Sequence, residues 1–551
     1  MRNYGKLILT GKEMVRIFGS SRRLINMLMF LCLLSVIMYS CKDNNKKEQP
    51  KVNKRNLSVT KSNAYNNLFL DSMAMEKFIL AQKMDHELAD AMRDFYNARN
   101  FEYAWFASDG LTEQAQAFRS LYKYADDSTK SNRSLEQKLD DFASADSMRI
   151  TERNRPVANA EMQLTSRFIR SSKFIYKGDE IGLKESQSFV PAKKTTVLKH
   201  AEAILADDHT FNKSFQLLKE QLRKYYALAQ KGGWQVLPVS GKTYKPATNN
   251  AMVKKIKQRL AFTGDFPAND TSDTFNPQLQ DVVKKMQASY GFKPNGVIGK
   301  SLIEAMNVSA AKRLEQLVVN IERMNWVPPA VKGVTIFVNI PEFMLYVQQG
   351  DAELFNMPVV VGKQGNSTTM FYGDLNQVVF SPYWNIPKSI TEKEILPGIE
   401  KDKDYLAKKN MEIKEEVNGV PVIRQLPGED NPLGRVKFLF PNSFDIYFHD
   451  TNEKDLFSKE KRAYSHGCIR LSDPVKLANF LLKDMKEWTP EKIDSAMNSG
   501  QEKYVRIHEP VPVVITYYTA WVDRNGLLNL RDDTYGHDAA MSKKLFTDAQ
   551  L

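Results

Sequence analysis

Near the end of the chain runs Tyr464-Ser465-His466-Gly467-Cys468-Ile469-Arg470-Leu471, with the only cysteine after residue 41. A thiol attacks a carbonyl once a base has taken its proton, and nineteen residues upstream stands His449. The alternating run from Phe444 to His449 predicts a strand over 444–449. Phe444, Ile446 and Phe448 would share one face, and Asp445, Tyr447 and His449 the other. A histidine at that strand end can reach a cysteine on the loop that follows. Gly467 implies a tight backbone beside the thiol, with N–H groups at His466, Gly467 and Cys468 able to hold an oxyanion. The plain alternative is an unreactive buried cysteine, but the small and polar neighbours make a poor core strand. Around the pair, Tyr447 can lend a hydroxyl, and Ser465 can orient His449 or hold the loop. His466 is a second candidate base. Arg470 can clamp a substrate carboxylate or form an internal ion pair.

Such a pair needs a body to position it, and 551 residues exceed a single hydrophobic core, so several domains are expected. Residues 1–40 read as a targeting segment: Arg22-Arg23, an apolar run over 24–39, then Ser40-Cys41-Lys42. Sixteen mostly apolar residues are short for a membrane span but suit a signal core. The break at Cys41 fits a lipoprotein site, so Cys41 is the expected lipid carrier; Met38 and Tyr39 depart from the usual processing pattern, and an uncleaved anchor is the alternative. Residues 41–63 are polar and lysine-rich, a flexible tether. With Cys32 in the signal core and Cys41 acylated, Cys468 is the one free thiol and no intramolecular disulfide can form. The formal charge of +13 suits an anionic polymer or a membrane surface. Neither zinc-finger spacing nor a dense basic helix is present, so nucleic acid is not an expected partner.

Residues 64–271 carry helical periodicity with many aromatics, among them Phe95, Tyr96 and Trp105, and end at Gly232-Gly233 before Trp234. Those aromatics suit helix packing better than glycan stacking. Residues 272–309 form a small helical unit around the turn Gly291–Gly296, and 310–331 a connecting helix. From 332 to 513 short β-rich runs predict a mixed β-sandwich, and no Gly-x-Gly-x-x-Gly follows a strand. Within it, 388–433 is charged and irregular, helical in character over 401–414, with Gly419, Gly428 and Gly434 as flexible points. Residues 514–551 give a last strand and a tail. There Asp532-Asp533 and His537-Asp538 are read as surface residues, since thiol chemistry needs neither a metal nor a cofactor.

The Ser-His-Gly-Cys-Ile-Arg stretch with the upstream His449 resembles the signature of the L,D-transpeptidases of bacterial peptidoglycan, large periplasmic type. From about residue 80 onward the chain is similar to that family, which implies a helical scaffold and a peptidoglycan-binding-like module at 272–309. Gln287, Gly291, Asn295, Gly296, Gly299 and Asn307 match the module. The resemblance also implies a capping insert at 388–433, and a donor cleft lined by Ser381–Pro387. There Trp384 would be an apolar wall and Asn385 a donor and acceptor for a peptide stem, or Trp384 would be structural beside a proline turn. Where the family has Thr-Pro, this chain has Thr369-Met370, which loosens a turn. The implied reaction is acyl transfer through a Cys468 thioester, with tetrapeptide stems as donor, a diamino-acid amine as acceptor and D-Ala expelled, giving 3→3 cross-links. His449 would be the base, and the thiol ionised well below its usual pKa of roughly 8.5. Carbapenems mimic the acyl-D-Ala bond in this family, which implies an adduct at Cys468. Further implied partners are the membrane, through the lipid, and proteins of cell-wall synthesis. Transfer to water would make a carboxypeptidase. A cysteine endopeptidase and a wall-binding lipoprotein without catalysis are the other classes to separate.

Overall fold

Part of the scaffold is held by aromatic packing around a buried carboxylate. The computed structural model describes residues 52–547 apart from 62, 124–129, 145–148, 176–193, 208–212, 327–332 and 418; its scaffold helices include α1 (His86–Ala98), α2 (Glu113–Lys123) and α3 (Arg155–Ile175), which surround that carboxylate, and α4 (Lys213–Gln230), which packs elsewhere. The leader over 1–40, Cys41 and the tether up to residue 51 lie outside the described residues. Asp85 starts α1 by accepting from the Leu88 N–H at 2.8 Å. Its apolar stripe (Leu88, Met92, Phe95, Tyr96) then faces α3. Tyr96, Trp105 and Phe106 are fully buried, and Trp105 stacks on Phe118 at 5.2 Å, so these aromatics pack the core as expected. Glu161 of α3 has no exposure. Its carboxylate accepts from the N–H groups of Ala104 (2.6 Å), Trp105 (3.0 Å) and Phe106 (3.2 Å) and from the Tyr96 hydroxyl (3.1 Å).

After α4, Gly232 and Gly233 take φ of +82° and +72°, and a Cβ on Gly233 would come within 3.2 Å of the Ala310 Cβ. Glycine there both ends the helix and lets the chain pass against the next one. The small unit comprises α5 (Ala251–Phe262), α6 (Pro277–Ser289) and α7 (Lys300–Asn307). Its core gathers Leu237, Val253, Ile256, Leu260, Leu279, Val283 and Ile303, drawing in residues before 272. Gln287 donates to Asn295 Oδ1 (2.8 Å) and Val297 O (2.9 Å) and accepts from Gly296 N (2.8 Å). Asn307 pairs with both main-chain groups of Leu237. These two therefore brace turns. Helix α8 (Ala310–Met324) packs on α4 and leads to the sheet.

The catalytic-region strands are β1 (Val334–Asn339), β2 (Met344–Gln349), β3 (Ala352–Gly362), β4 (Phe371–Phe380), β5 (Trp384–Asn385), β6 (Met411–Val417), β7 (Val420–Gln425), β8 (Val436–Leu439), β9 (Phe448–His449), β10 (Ala463–Ser465), β11 (Ile469–Leu471) and β12 (Lys503–Thr516). Nine of them form one mixed sheet in the order β10-β3-β11-β9-β8-β4-β12-β1-β2, and β2 also pairs with β3. The sheet thus closes on itself, and the expected mixed β-architecture is present in that closed form. Its interior holds Ile336, Val338, Leu345, Val359, Val361, Leu375, Phe438, Phe448, Ile469 and Leu471, covered by Leu477 and Leu482 of helix α9 (Pro474–Leu482) and Ile493 of α10 (Pro490–Met497).

The insert stands on its own small core. Strands β5, β7 and β6 make a separate sheet, with Ile386, Ile390, Ile395 and Ile423 buried and Trp384, Tyr405 and Met411 packed on them. The helix expected over 401–414 is limited to Tyr405–Lys408, and β6 begins at Met411, where Glu412-Ile413-Lys414 reads better as the rim of a hairpin with β7. Gly434 is a close approach as well as a bend. Its φ is +61°, and a Cβ would sit 2.4 Å from the Asp450 carboxylate.

Candidate active site

Strands β9 and β11 run parallel, pairing Phe448 with Ile469 and His449 with Arg470. The Ile469 N–H donates to Tyr447 O at 3.1 Å, so Tyr447 lies level with Cys468, one residue before β11. The ladder on β9 covers two residues rather than the six expected, because Asp445 turns to φ +52°. Asn442 replaces the missing strand bonds. Its Oδ1 accepts from the Phe444 and Ile446 N–H groups (2.9 and 3.2 Å), and its Nδ2 donates to Phe440 O and Ile446 O, both at 2.7 Å. The predicted facing survives this: Ile446 and Phe448 are buried in the core and Phe444 packs against it.

Cys468 is half-buried. Its sulfur accepts from the Tyr447 N–H and hydroxyl, and the thiol donates to Asp445 O at 3.5 Å. Burial pushes the thiol up to about 11 against those two donors, so the expected depressed pKa gives way to a protonated resting thiol. His449 is buried, and its Nδ1 lies 2.5 Å from Asp450 O. A carbonyl only accepts, so Nδ1 carries the proton and Nε2 keeps its lone pair. Burial first, and then the Arg470 charge, bring His449 down to about 3, leaving it neutral. Tyr447 is raised by burial and by the neighbouring Cys468.

The loop is held from inside. Ser465 Oγ donates to Cys468 O at 2.5 Å and accepts from the Gly467 N–H at 3.1 Å. Ser465 therefore braces the loop rather than His449, and Gly467, at φ +120°, has its N–H engaged. That corrects the expectation of three oxyanion donors and leaves those of His466 and Cys468. His466 is about half exposed, with Nε2 3.9 Å from Glu394 of the insert. Arg470 forms the internal ion pair, with Glu453. Trp384 pairs across β5 and β7 with Gln425 and packs into the insert core, while Asn385 is exposed.

Thr368 had no signal in the sequence beyond standing next to Thr369-Met370. Its Oγ1 donates to Gly467 O at 2.7 Å and accepts from the Gly362 N–H at 2.9 Å. The turn's anchor is thus Thr368, one residue before the pair compared with Thr-Pro. Gly362 is obligatory: a Cβ would lie 2.1 Å from Asn366 O. Asp450 was equally silent, although its carbonyl fixes the His449 tautomer and its carboxylate accepts from the Arg435 N–H at 2.9 Å and meets Lys454 at 2.6 Å.

Residues 333–513 match the model of the L,D-transpeptidase catalytic domain, YkuD. Residues 90–231 match a scaffold domain, and residues 249–306 the "Putative peptidoglycan binding domain". A "Putative L,D-transpeptidase" of Haemophilus influenzae is 33% identical over 241 residues, covering 41% of this chain and 48% of that protein. The chain thus spans about half the length of the curated relative it matches. An L,D-transpeptidase from Mycobacterium smegmatis is 15% identical, covering 33% of this chain and 58% of its own, with a TM-score of 0.19. One from Stackebrandtia nassauensis is 14% identical, covering 51% and 97%, also at 0.19. One polypeptide thus joins a catalytic domain of the L,D-transpeptidase (YkuD) family to a scaffold domain and a peptidoglycan-binding-type module.

Proposed function

We propose that the protein is a cysteine acyltransferase of peptidoglycan, an L,D-transpeptidase that makes 3→3 cross-links. The observation that supports this reading is the parallel pairing of β9 with β11, which sets the neutral, Nδ1-protonated His449 on one strand and the protonated Cys468 immediately before its neighbour. His449 Nε2 takes the thiol proton as the sulfur attacks the carbonyl of the third residue of a tetrapeptide stem. The N–H groups of His466 and Cys468 receive the oxyanion. Collapse breaks the C–N bond, His449 returns the proton to the departing D-Ala amine, and a thioester remains. The side-chain amine of an acceptor's diamino acid then attacks. His449 takes that proton and gives it back to the sulfur as the new amide forms.

The Glu394–His466 approach supports a cap role for residues 388–433 over the cleft. The match over 249–306 supports contact with peptidoglycan, and the sequence around Cys41 a lipid anchor in the cell envelope. Among the described residues no helix is long and apolar enough to cross a membrane.

Disaccharide tetrapeptide is the test substrate, with products read by mass spectrometry. The wild type should give 3→3 dimer and D-Ala, and Cys468→Ala neither the dimer nor a carbapenem adduct. Tripeptide and D-Ala without dimer at high acceptor would make the protein a carboxypeptidase instead. Fractionation of wild type and Cys41→Ser tests the anchor: equal membrane association rejects it.

A further inference from the structure

The catalytic-domain match ends at residue 513, yet the chain beyond it reaches the loop that carries the thiol. The Tyr535 hydroxyl donates to Gly362 O at 2.6 Å and accepts from the Thr368 N–H at 3.4 Å. Those are the two residues that fix Gly467: Gly362 N–H holds Thr368 Oγ1, and Thr368 Oγ1 holds Gly467 O. Tyr535 is fixed in turn. Its N–H donates to the Tyr517 hydroxyl at 2.7 Å, that hydroxyl donates to Asp533 at 2.7 Å, and the two rings stack at 5.6 Å. His537 sets its ring edge against Tyr517 at 4.7 Å and bonds Glu113 of α2 at 2.6 Å. Beneath them the fully buried Arg323 of α8 pairs with Asp538 and approaches Glu113 at 3.7 Å.

We infer that Tyr535 is a positioning residue for Cys468. Through Gly362 and Thr368 it fixes the Gly467 carbonyl, and through Tyr517 and His537 it ties that setting to Glu113 of the scaffold. This rests on Cys468 being the nucleophile, as proposed above. The Gly467 carbonyl shares its rigid peptide plane with the Cys468 N–H, one of the two groups assigned to the oxyanion, so a shift of that carbonyl tilts this donor. These contacts are all internal to the chain. The effect should therefore fall on the acyl-transfer step and not on affinity.

The test uses the mature chain and disaccharide tetrapeptide, with kcat expressed per titratable Cys468 thiol so that loss of folded protein is normalised out. Tyr535→Phe keeps the ring stack and removes the bridge. It should lower kcat about tenfold with KM changed less than about twofold. Thr368→Val should do the same, Thr368→Ser should restore the rate, and Tyr535→Phe with Thr368→Val should lose no more than the worse single change, because both cut one chain of contacts. Wild-type kcat per thiol in Tyr535→Phe, or losses that multiply in the double variant, would overturn the inference while leaving the nucleophile intact. Should Tyr535→Phe not fold, the Thr368→Val and Thr368→Ser pair decides: equal rates overturn it. Turnover retained in Cys468→Ala would remove the nucleophile itself, and this inference with it.

Discussion

Glu161 in the scaffold and Cys468 in the closed sheet are both acids pushed up by burial, the first to about 7 and the second to about 11. Their surroundings differ in completeness. Glu161 receives three main-chain N–H groups and a tyrosine hydroxyl, which occupy both oxygens and leave a substrate nothing to approach. Cys468 has donors from Tyr447 on one side only, is half-buried, and has beside it a strand bearing a histidine with a free ring nitrogen. Saturation suits the first centre to bracing; the open side of the second suits it to the chemistry proposed above.

The largest expected break in this contrast is His449→Ala, which should slow acylation by tetrapeptide about 10³-fold without lowering the melting temperature by more than a few degrees. His466→Ala should change it roughly threefold or less, because that ring faces Glu394. A dead His466→Ala with a wild-type His449→Ala would reverse the assignment of the base. Glu161→Ala should act in the opposite way. Three N–H groups lose their acceptor, so about 3–5 kcal/mol of stability should disappear from urea titrations while kcat of the protein that remains folded is unchanged. A Glu161→Ala protein as stable as wild type would end the description of Glu161 as a brace.

Gly434→Ala sharpens the comparison at intermediate scale. The new methyl drives into the Asp450 carboxylate at a left-handed φ. About 1–3 kcal/mol of strain should appear, together with a fall in kcat, because the Asp450 carbonyl sets His449. Unchanged kcat would separate Gly434 from the catalytic geometry.

The most gradual effect is in pH, small at each step between pH 7 and 5. His449, brought to about 3 from an ordinary value of about 6.5, leaves the folded chain with fewer protons than the unfolded one between those values. Stability should therefore fall as pH drops through that window, by up to about 1.4 kcal/mol per pH unit from this group. Glu161, raised to about 7, binds its proton more readily in the folded chain, so its contribution grows as pH falls from 7 toward 4.5. Urea midpoints at pH 7, 6 and 5 should show a flatter acid loss in His449→Gln and a steeper one in Glu161→Gln. Parallel profiles in both variants would refute these protonation states.

What could be read from the sequence was local in the chain. The alternation from Phe444 to His449 gave the correct inward face, and the types and order of His449, Ser465, Gly467 and Cys468 pointed to the chemistry proposed above. Strand length was misjudged because Asp445 adopts a left-handed backbone and Asn442 supplies the bonds a neighbouring strand would have made. Neither event leaves a periodic trace. Thr368, Asp450 and Tyr535 act through main-chain groups scores of residues away or next door, and a hydroxyl donating to a distant carbonyl has no pattern along the chain. The protonated thiol was also hidden, since burial at Cys468 is a property of the assembled sheet.

That sheet closes late. Val513 of β12 lies in register with Ile336 of β1, and β12 also bridges to β4, so the ring cannot be sealed until a segment some 180 residues after its first strand has arrived. Contacts so far apart in sequence form slowly, because a large loop must be closed before any pairing repays it. Strands β9 and β11, by contrast, pair directly with each other and with β8 and β3, all of which precede β12 in the chain, so His449 and Cys468 acquire their local frame from earlier neighbours. Closure by β12 therefore adds the far side of the ring to a site whose own strands are already paired, and separates the assembly of the site from the sealing of the sheet.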